Sequence, residues 1–265
     1  MLPIPRLRDV VVVAAEHPDL PVWARHDAFD VVALAAGGSQ RWRVTAEALE
    51  QLRGVRAVWL PAPDVRADAD VVALLFALHH ELGTGLTQPA LTRESPVRST
   101  AELQHTGLAV RFTDPAGLSA PVLSASVLPD ATAAMRAASD GGGLEELLLA
   151  ALELCGLSSA VADCLPVRRT GPLPPAVLVD GCHPGGGAMA LATRWGVPIP
   201  RPPSTQGGLD AAFRPLGRRE TLEMVVAGRP VGTAGAAAGD RYGAVVEADL
   251  HAVRAASAAR LDVTP

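Results

Sequence analysis

Residues 10–15 read VVVVAA, and such an unbroken run of β-branched and small apolar side chains indicates a strand that is buried on both faces. Two similar runs follow, FDVVALA at residues 29–35 and RAVWL at residues 56–60, and the intervals between them leave room for helices. Strands that alternate with helices in this way form mostly parallel sheets. The sequence therefore predicts a single α/β domain whose mixed, mostly parallel sheet is flanked by helices.

Periodic apolar positions predict the helices that flank this sheet. Thr45–Leu52 and Asp70–Leu82 each carry an apolar stripe with helical spacing, and the glycines at 141–143 precede a third helix at Leu144–Leu154. Further strands are predicted at residues 108–112 and 120–124, and a last short strand is predicted at residues 160–166. The stretch from Gly83 to Ser95 is rich in Gly, Thr and Pro, and no strand is predicted in it.

The composition changes after Pro172, where Pro and Gly become frequent, most of all in residues 198–203. We therefore expect residues 1–172 to form a core, and residues 173–265 to form an extended Pro/Gly-rich tail with a small α/β appendage that packs on the core. Candidate elements of that appendage lie at residues 222–226, 243–247 and 250–261.

The composition excludes several classes of protein. The 265 residues are 49% hydrophobic and 19% charged, and their formal net charge is −5, so the chain offers no diffuse positive field to a nucleic acid. Every basic residue is Arg, and a Schiff-base lysine is therefore excluded. No run reaches the roughly 18–20 apolar residues of a membrane helix, and the apolar run after Asp9 does not fit a signal peptide. We expect a cytoplasmic protein without a membrane span.

The histidines do not form a metal-binding pattern. HPD at residues 17–19 lacks the second Asp of the zinc motif found in sugar deacetylases, and His17 is interpreted as a loop residue. His79 and His80 are adjacent on a predicted helix and point in different directions, so they cannot chelate one ion. Both are expected at the surface or at its boundary.

A series of short motifs runs in order from about residue 9 to residue 197. The motifs are HP at 17–18 with Trp23, FDVV at 29–32, VWLP at 58–61 with Asp64, QPAL at 88–91 with Ser95, RFT at 111–113, AP at 120–121, GGGLE at 141–145, VAD at 161–163, PV at 166–167 with Thr170, and RWG at 194–196. Together they resemble a bacterial family of glycosyltransferase-like proteins with the GT-A nucleotide-diphosphosugar fold. The resemblance implies that a sugar nucleotide is bound by Asp30, Trp59, Asp64, Gln88, Arg111, Asp163 and Arg169.

The resemblance also implies where a divalent cation would bind, and this chain departs from the pattern there. The family's turn reads like WLPDDD, whereas residues 59–64 read WLPAPD and keep only the carboxylate of Asp64. A family phrase like PVxHT, whose histidine would complete the metal shell, reads PVRRT here and has Arg169 at that position. One carboxylate is a poor Mg2+ or Mn2+ site, so no metal cofactor is predicted. Arg169 is instead expected to bind the diphosphate bidentately, and drift in a site that is no longer used is the alternative.

Two acidic residues are candidates for catalysis. A family phrase like RYTxFVE, whose Glu lies near the acceptor, reads RFTDPAG at residues 111–117, so Asp114 could take that role only in a rearranged loop. A family phrase like GWGLD reads GGGLE at residues 141–145 and has Glu145 at the position of an Asp that could act as general base on an acceptor hydroxyl. The alternative for Glu145 is a charge that stabilises the start of its helix, beside Glu146.

Three hypotheses for the function remain open from the sequence. The first is a metal-independent transferase that takes a sugar from a sugar nucleotide to a hydroxyl of a small molecule or an envelope precursor. The second is a catalytically degenerate relative that serves as a binding or scaffold module, with a protein partner docked through the tail. The third keeps the fold for other chemistry and uses Cys164, or Cys182 with His183, as nucleophile and base.

Overall fold

The computed structural model describes residues 7–35, 41–97, 100–114, 118–138, 143–171, 186–197, 204–227 and 251–252. The strands are β1 (Arg8–Ala14), β2 (Asp30–Leu34), β3 (Val55–Trp59), β4 (Val65–Arg66), β5 (Leu86–Leu91), β6 (Leu108–Thr113), β7 (Val122–Ser124), β8 (Ser159–Arg169), β9 (Thr205–Asp210) and β10 (Pro215–Leu216). The helices are α1 (Leu20–Trp23), α2 (Arg41–Gln51), α3 (Ala69–Leu82), α4 (Leu128–Ala137), α5 (Leu144–Leu154), α6 (Gly186–Trp195) and α7 (Arg218–Ala227).

The strands form one mixed sheet in the order β10-β9-β6-β8-β5-β7-β3-β1-β2, and the short strand β4 pairs with the end of β8. Parallel pairing joins β1 to β2 and β3, and β5 to β8. Because β7 lies antiparallel between β3 and β5, all five of these strands run in the same direction. The predicted class, an α/β fold with a mixed sheet flanked by helices, is confirmed.

Apolar side chains cover both faces of the sheet. On one face, Val10, Val12 and Val58 pack with α2, α4, α5 and α6. On the other face, Val11 and Val13 pack with α1 and α3. Since alternate residues of a strand point to opposite faces, the unbroken valine run of β1 supplies both cores at once. The predicted strands at residues 10–15, 29–35 and 56–60 are confirmed.

Strand β5 lies in the middle of the sheet, within the stretch where no strand was predicted. All six of its residues are buried, although Pro89 interrupts the run. A proline removes a ladder hydrogen bond, and its place in a sheet is commonly a bulge. The register with β8 does shift between Pro89 and Leu91. The absence of a strand from this stretch was therefore a wrong prediction, because packing on both faces outweighs the local composition.

The C-terminal part of the described chain adds to the same sheet. Strand β8 is longer than predicted, and β9 extends the sheet by pairing antiparallel along β6. Helix α7 covers this region, where Leu222 and Val225 are buried against Leu108. The candidate element at residues 222–226 is helical, whereas residues 243–247 and most of 250–261 lie outside the described residues. In the part of the chain that the structure describes, no helix is both long and apolar enough to cross a bilayer.

Candidate functional site

The candidate site lies at the edge of the sheet where β1, β3, β5 and β8 end. Strand β3 runs into Asp64, β5 runs into a turn that contains Ser95, and β8 ends at Arg169. The pairing of Val65 in β4 with Arg169 brings the first and last of these segments together. In open α/β sheets, ligands bind in the crevice outside the carboxyl ends of the strands, so this edge is where a ligand is expected.

Arg169 is the centre of the polar cluster at this edge. Its Nε lies 3.3 Å from an oxygen of Asp64, and its Nη1 lies 3.6 Å from an oxygen of Glu102. Its Nη2 donates to the hydroxyl of Ser119 at 2.7 Å, and its backbone N–H donates to the hydroxyl of Ser95 at 3.0 Å. The side chain is 11% exposed. Three segments of the chain therefore contact the guanidinium, and a fourth, at Ser95, binds the backbone of the same residue.

The geometry of this cluster does not fit a divalent cation. A cation held by the two carboxylates would lie between Asp64 and Glu102, and the guanidinium of Arg169 already faces both of them. A guanidinium is always charged and cannot ligate a metal. Within the residues that the structure describes, no group of three or more His, Cys, Asp or Glu side chains could hold an ion. Arg169 provides the positive charge at this position.

A second guanidinium, that of Arg41, lies beside this cluster. Arg41 is the first residue of α2, and its Nη2 donates to the carbonyl of Leu60 at 3.2 Å. Its guanidinium carbon lies 4.3 Å from the ring centroid of Trp42. Burial lowers the pKa of Arg41 to about 10; Asp64 opposes this shift, and Arg169 adds to it. Arg41 was not predicted, although a basic residue in the first turn of a helix opposes the helix dipole and is a signal for an unusual role.

Glu102 and Ser119 were also not predicted from the sequence. Glu102 is only 4% exposed, and it accepts a hydrogen bond of 2.6 Å from the hydroxyl of Ser119. No motif marks either residue, and they come from loops that are distant in sequence from each other and from Arg169. Their role becomes visible only when the chain is folded.

Arg111 and Asp163 form a fully buried ion pair instead of an open binding surface. The guanidinium binds both carboxylate oxygens, at 2.8 and 3.0 Å, and both side chains are 0% exposed. Arg111 also donates to the carbonyls of Ala101 and Leu103. Burial raises the pKa of the Asp163 carboxyl, and Arg111 opposes that rise. The pair therefore holds the loop that carries Glu102, and its contact with the site is indirect.

Trp59 and Gln88 are also inside the protein. Trp59 is 0% exposed, donates its indole N–H to the carbonyl of Ala120 at 2.9 Å, and packs edge-on against Trp23. Gln88 is 2% exposed, and its Oε1 has no hydrogen-bond partner among the described residues. Both residues support the sheet behind the crevice.

Asp30 and Asp114 lie at the opposite edge of the sheet from Arg169. Asp30 begins β2 and binds Arg8 at 2.9 Å. Asp114 follows β6, which runs against β8, and its carboxylate accepts from the backbone N–H of Ser204 at 2.9 Å. Asp114 lines a separate cavity of about 320 Å³. The structure does not bring these two residues together with Asp64 and Arg169.

Glu145 lies in the first turn of α5. The end of this helix lies near the start of β5, where a Cβ added at Gly85 would collide with Leu152. A helix of eleven residues is about 16 Å long, so its first turn lies well away from the start of β5. Glu145 is exposed in that turn, and the N-cap residue Gly143 provides no side-chain cap. Both interpretations of Glu145, as a base and as a helix-stabilising charge, stay open.

The histidines differ in part from expectation. His17 is buried, with Nε2 2.8 Å from the carbonyl oxygen of Val65, and its other ring nitrogen accepts from the backbone of Asp19. His79 is 1% exposed, so its placement at the surface was wrong. The helix turns it inward because Thr87 and Ser124 offer partners for both ring nitrogens, at 2.8 and 2.9 Å.

One of the cysteines considered as nucleophiles lies in the described part of the chain. Cys164 is a free, exposed cysteine on β8. Cys182 and His183 lie outside the described residues.

Comparison with known proteins yields only distant structural likenesses. No protein-family model matches the chain, and no curated protein matches it. The crystal structure of residues 1–349 of S. aureus TarS is 11% identical, with a TM-score of 0.42, over 62% of this chain and 60% of that one. The structure of A197 from STIV is 9% identical, with a TM-score of 0.41, over 80% and 94% of the two chains.

A third structure, the mannose-1-phosphate geranyltransferase of Thermus thermophilus, is 12% identical, with a TM-score of 0.26, over 57% and 58% of the two chains. This chain therefore spans about 60% of the TarS structure and 58% of the geranyltransferase. All three TM-scores lie below 0.5.

Proposed function

We propose that this chain binds a nucleoside diphosphate sugar at the carboxyl ends of its parallel strands and transfers the sugar to a hydroxyl of a small molecule or an envelope precursor. The observation that carries the proposal is the placement of Arg169 against Asp64 at the end of β8, with Arg41 nearby. The sequence resemblance supports the same site, because it places Asp64 and Arg169 at positions that bind the diphosphate and its cation in the family.

The chemical need at such a site is charge compensation. As the bond between the sugar and the diphosphate oxygen breaks, negative charge develops on the leaving group, and enzymes stabilise it with fixed positive charge. Arginine stays protonated and can bind two phosphate oxygens at once. Two guanidinia at the strand ends therefore support a transfer in which no divalent ion takes part.

Glu145 is the proposed general base. It would take the proton of the acceptor hydroxyl while the new bond forms between that oxygen and the sugar carbon. Its place in the first turn of α5 and its exposure make it accessible to an acceptor from solvent. Asp114 has no part in this step, because it lies at the other edge of the sheet.

Donor binding is tested by thermal denaturation with a panel of UDP- and GDP-sugars, in EDTA and in Mg2+ or Mn2+. A donor at 100 times its Kd adds about 2.7 kcal/mol to the free energy of unfolding, and the melting temperature should rise equally with and without metal. If no sugar nucleotide shifts the melting temperature under either condition, the proposal is wrong.

The base is tested with Glu145→Gln, with Glu146→Gln as the control on the same helix turn. Loss of a general base should lower turnover by about 10²- to 10⁴-fold and leave donor affinity unchanged. The control should keep its turnover within about two-fold. Equal turnover in both variants would remove Glu145 from this role.

One feature of the site favours a second candidate, a binding or scaffold module without transfer chemistry. Each of the three guanidinium nitrogens of Arg169 already lies near a protein oxygen, from Asp64, Glu102 or Ser119. A closed cluster of this kind also suits a site that only stabilises the fold. Lack of both sugar-nucleotide hydrolysis and transfer, together with co-purification of a stoichiometric protein partner, would favour this candidate.

A further inference from the structure

The two guanidinia of the site differ in what they bind. Arg169 faces three side-chain acceptors, two of which are carboxylates. Arg41 makes one hydrogen bond, to the backbone carbonyl of Leu60, and no carboxylate in the described part of the chain lies within 4.0 Å of it. Most of the N–H groups of Arg41 therefore have no protein acceptor among the described residues.

Arg41 lines a small cavity at the ends of β1, β2 and β3. The other lining residues are Val12, Val13, Ala14, Leu34, Thr45, Leu60, Pro61 and Pro63. The cavity measures about 20 Å³, which is room for one oxygen the size of a water molecule. Its walls are mostly apolar, and a charge–charge contact is stronger in such surroundings than in water.

The guanidinium of Arg41 is partly buried, and no carboxylate among the described residues pairs with it. A buried charge normally has an opposite charge in hydrogen-bond contact. The lowered pKa of Arg41 has burial as its main cause, and the carboxylate of Asp64 offsets it only in part. An anion at the mouth of the cavity would supply the missing negative charge, with one of its oxygens in the cavity.

We propose that Arg41 makes the contact to the phosphate oxygens of the donor, and that Arg169 is an internal cation that holds Asp64 and Glu102 in place. This assignment rests on the proposed function and changes the role expected for Arg169 from its sequence. For Arg169 to bind a phosphate, it would have to give up contacts that it already makes with Asp64, Glu102 and Ser119, whereas most N–H groups of Arg41 have no acceptor among the described residues.

The test is calorimetric titration in EDTA with UDP, GDP, pyrophosphate and inorganic phosphate. The variants are Arg41→Gln, Arg41→Lys and Arg169→Gln, and the control is Arg43→Gln, which removes the same charge from an exposed position of the same helix. Arg41→Gln should weaken diphosphate binding about 10- to 100-fold, as expected for loss of charge-assisted hydrogen bonds. Arg41→Lys, which keeps the charge without the planar fork, should fall between Arg41→Gln and the wild type.

The outcomes separate this inference from the proposed function. Arg43→Gln should bind within about three-fold of the wild type, and Arg169→Gln should lose less affinity than Arg41→Gln, both measured well below their melting temperatures. If Arg169→Gln loses binding and neither Arg41 variant does, the donor site stands and the inference is overturned. If the wild type binds phosphate through Arg41 but no nucleotide, the inference stands and the proposed function falls. If it binds none of the four probes, both are wrong.

Discussion

At the scale of single residues, the account depends on a guanidinium in the place of a metal ion. Asp64 and Arg169 come together as the sequence predicted, because both follow parallel strands that end at one edge of the sheet. Arg41, Glu102 and Ser119 complete the cluster, and no local pattern marks them. Spatial neighbours from distant loops leave no trace in the spacing of the sequence.

The stability of this cluster is tested with Arg169→Gln. The substitution removes the positive charge that faces Asp64 and the nearly buried Glu102, so the free energy of unfolding should fall by about 2–4 kcal/mol, near the lower end of what the loss of a buried partner costs. Arg168→Gln, at an exposed position of the same strand, should change it by less than about 0.5 kcal/mol. Urea denaturation measures both values. Adding Glu102→Gln to Arg169→Gln should recover part of the loss, and a purely additive double variant would show that the two side chains do not interact.

His79 predicts a stability that depends on pH. Ser124 donates to the carbonyl of Thr84, so it accepts from Nε2 of His79, whose other nitrogen accepts from Thr87. This network fits the neutral ring, and burial lowers the pKa of His79 from 6.5 to about 4. The neighbouring charged groups are His80 and Arg56, which also lower the pKa, and Asp9, which raises it.

The sign follows from proton uptake. Between pH 6.5 and about 4 the unfolded chain binds a proton at His79 that the folded chain does not, so stability falls as the pH falls through this range. The loss should amount to roughly 3 kcal/mol at pH 4. His79→Gln should flatten this part of the curve of unfolding free energy against pH. An unchanged slope in that variant would assign the pH dependence to other groups.

At the scale of elements, the strands with continuous apolar runs were predictable and β5 was not. The run at residues 10–15 consists only of Val and Ala, so its composition predicts burial. The sequence of β5, LTQPAL, contains Thr, Gln and Pro and does not predict it. Its burial depends on neighbours on both sides, β7 and β8, which lie far along the chain. Tertiary packing decides such a strand, and single-residue preferences do not reveal it.

The loop at residues 101–105 is expected to depend on the buried pair of Arg111 and Asp163. Asp163→Asn removes the charge that Arg111 binds and should cost about 3–5 kcal/mol of unfolding free energy. Hydrogen exchange should increase most at His105, whose backbone N–H donates to Asp163. Asp30→Asn, in an exposed ion pair with Arg8, is the control and should change little. If exchange at residues 101–105 stays at the wild-type rate, the pair does not hold the loop.

At the scale of the whole molecule, β9 is packed closely between β6, its neighbour in the sheet, and helix α7. A Cβ added at Gly208 would lie 2.7 Å from the carbonyl oxygen of Val110 and 3.1 Å from Thr221. Gly208→Ala should therefore lower the unfolding free energy by about 1–3 kcal/mol, as overpacking does. Gly186→Ala, where no atom lies within 4 Å, is the matched control and should be close to neutral. Equal stability of the two variants would mean that β9 is only loosely attached to β6.

The central claim, that guanidinium charge replaces a divalent ion at the strand ends, is tested most directly by restoring residues that bind a metal. Pro63→Asp combined with Arg169→His removes the guanidinium and adds a carboxylate and an imidazole beside Asp64. The measurement is the affinity for a nucleoside diphosphate in EDTA and in Mn2+. The account predicts the same affinity under both conditions for the wild type, and tighter binding in Mn2+ than in EDTA for the double variant. A wild type that binds only in Mn2+ would contradict it.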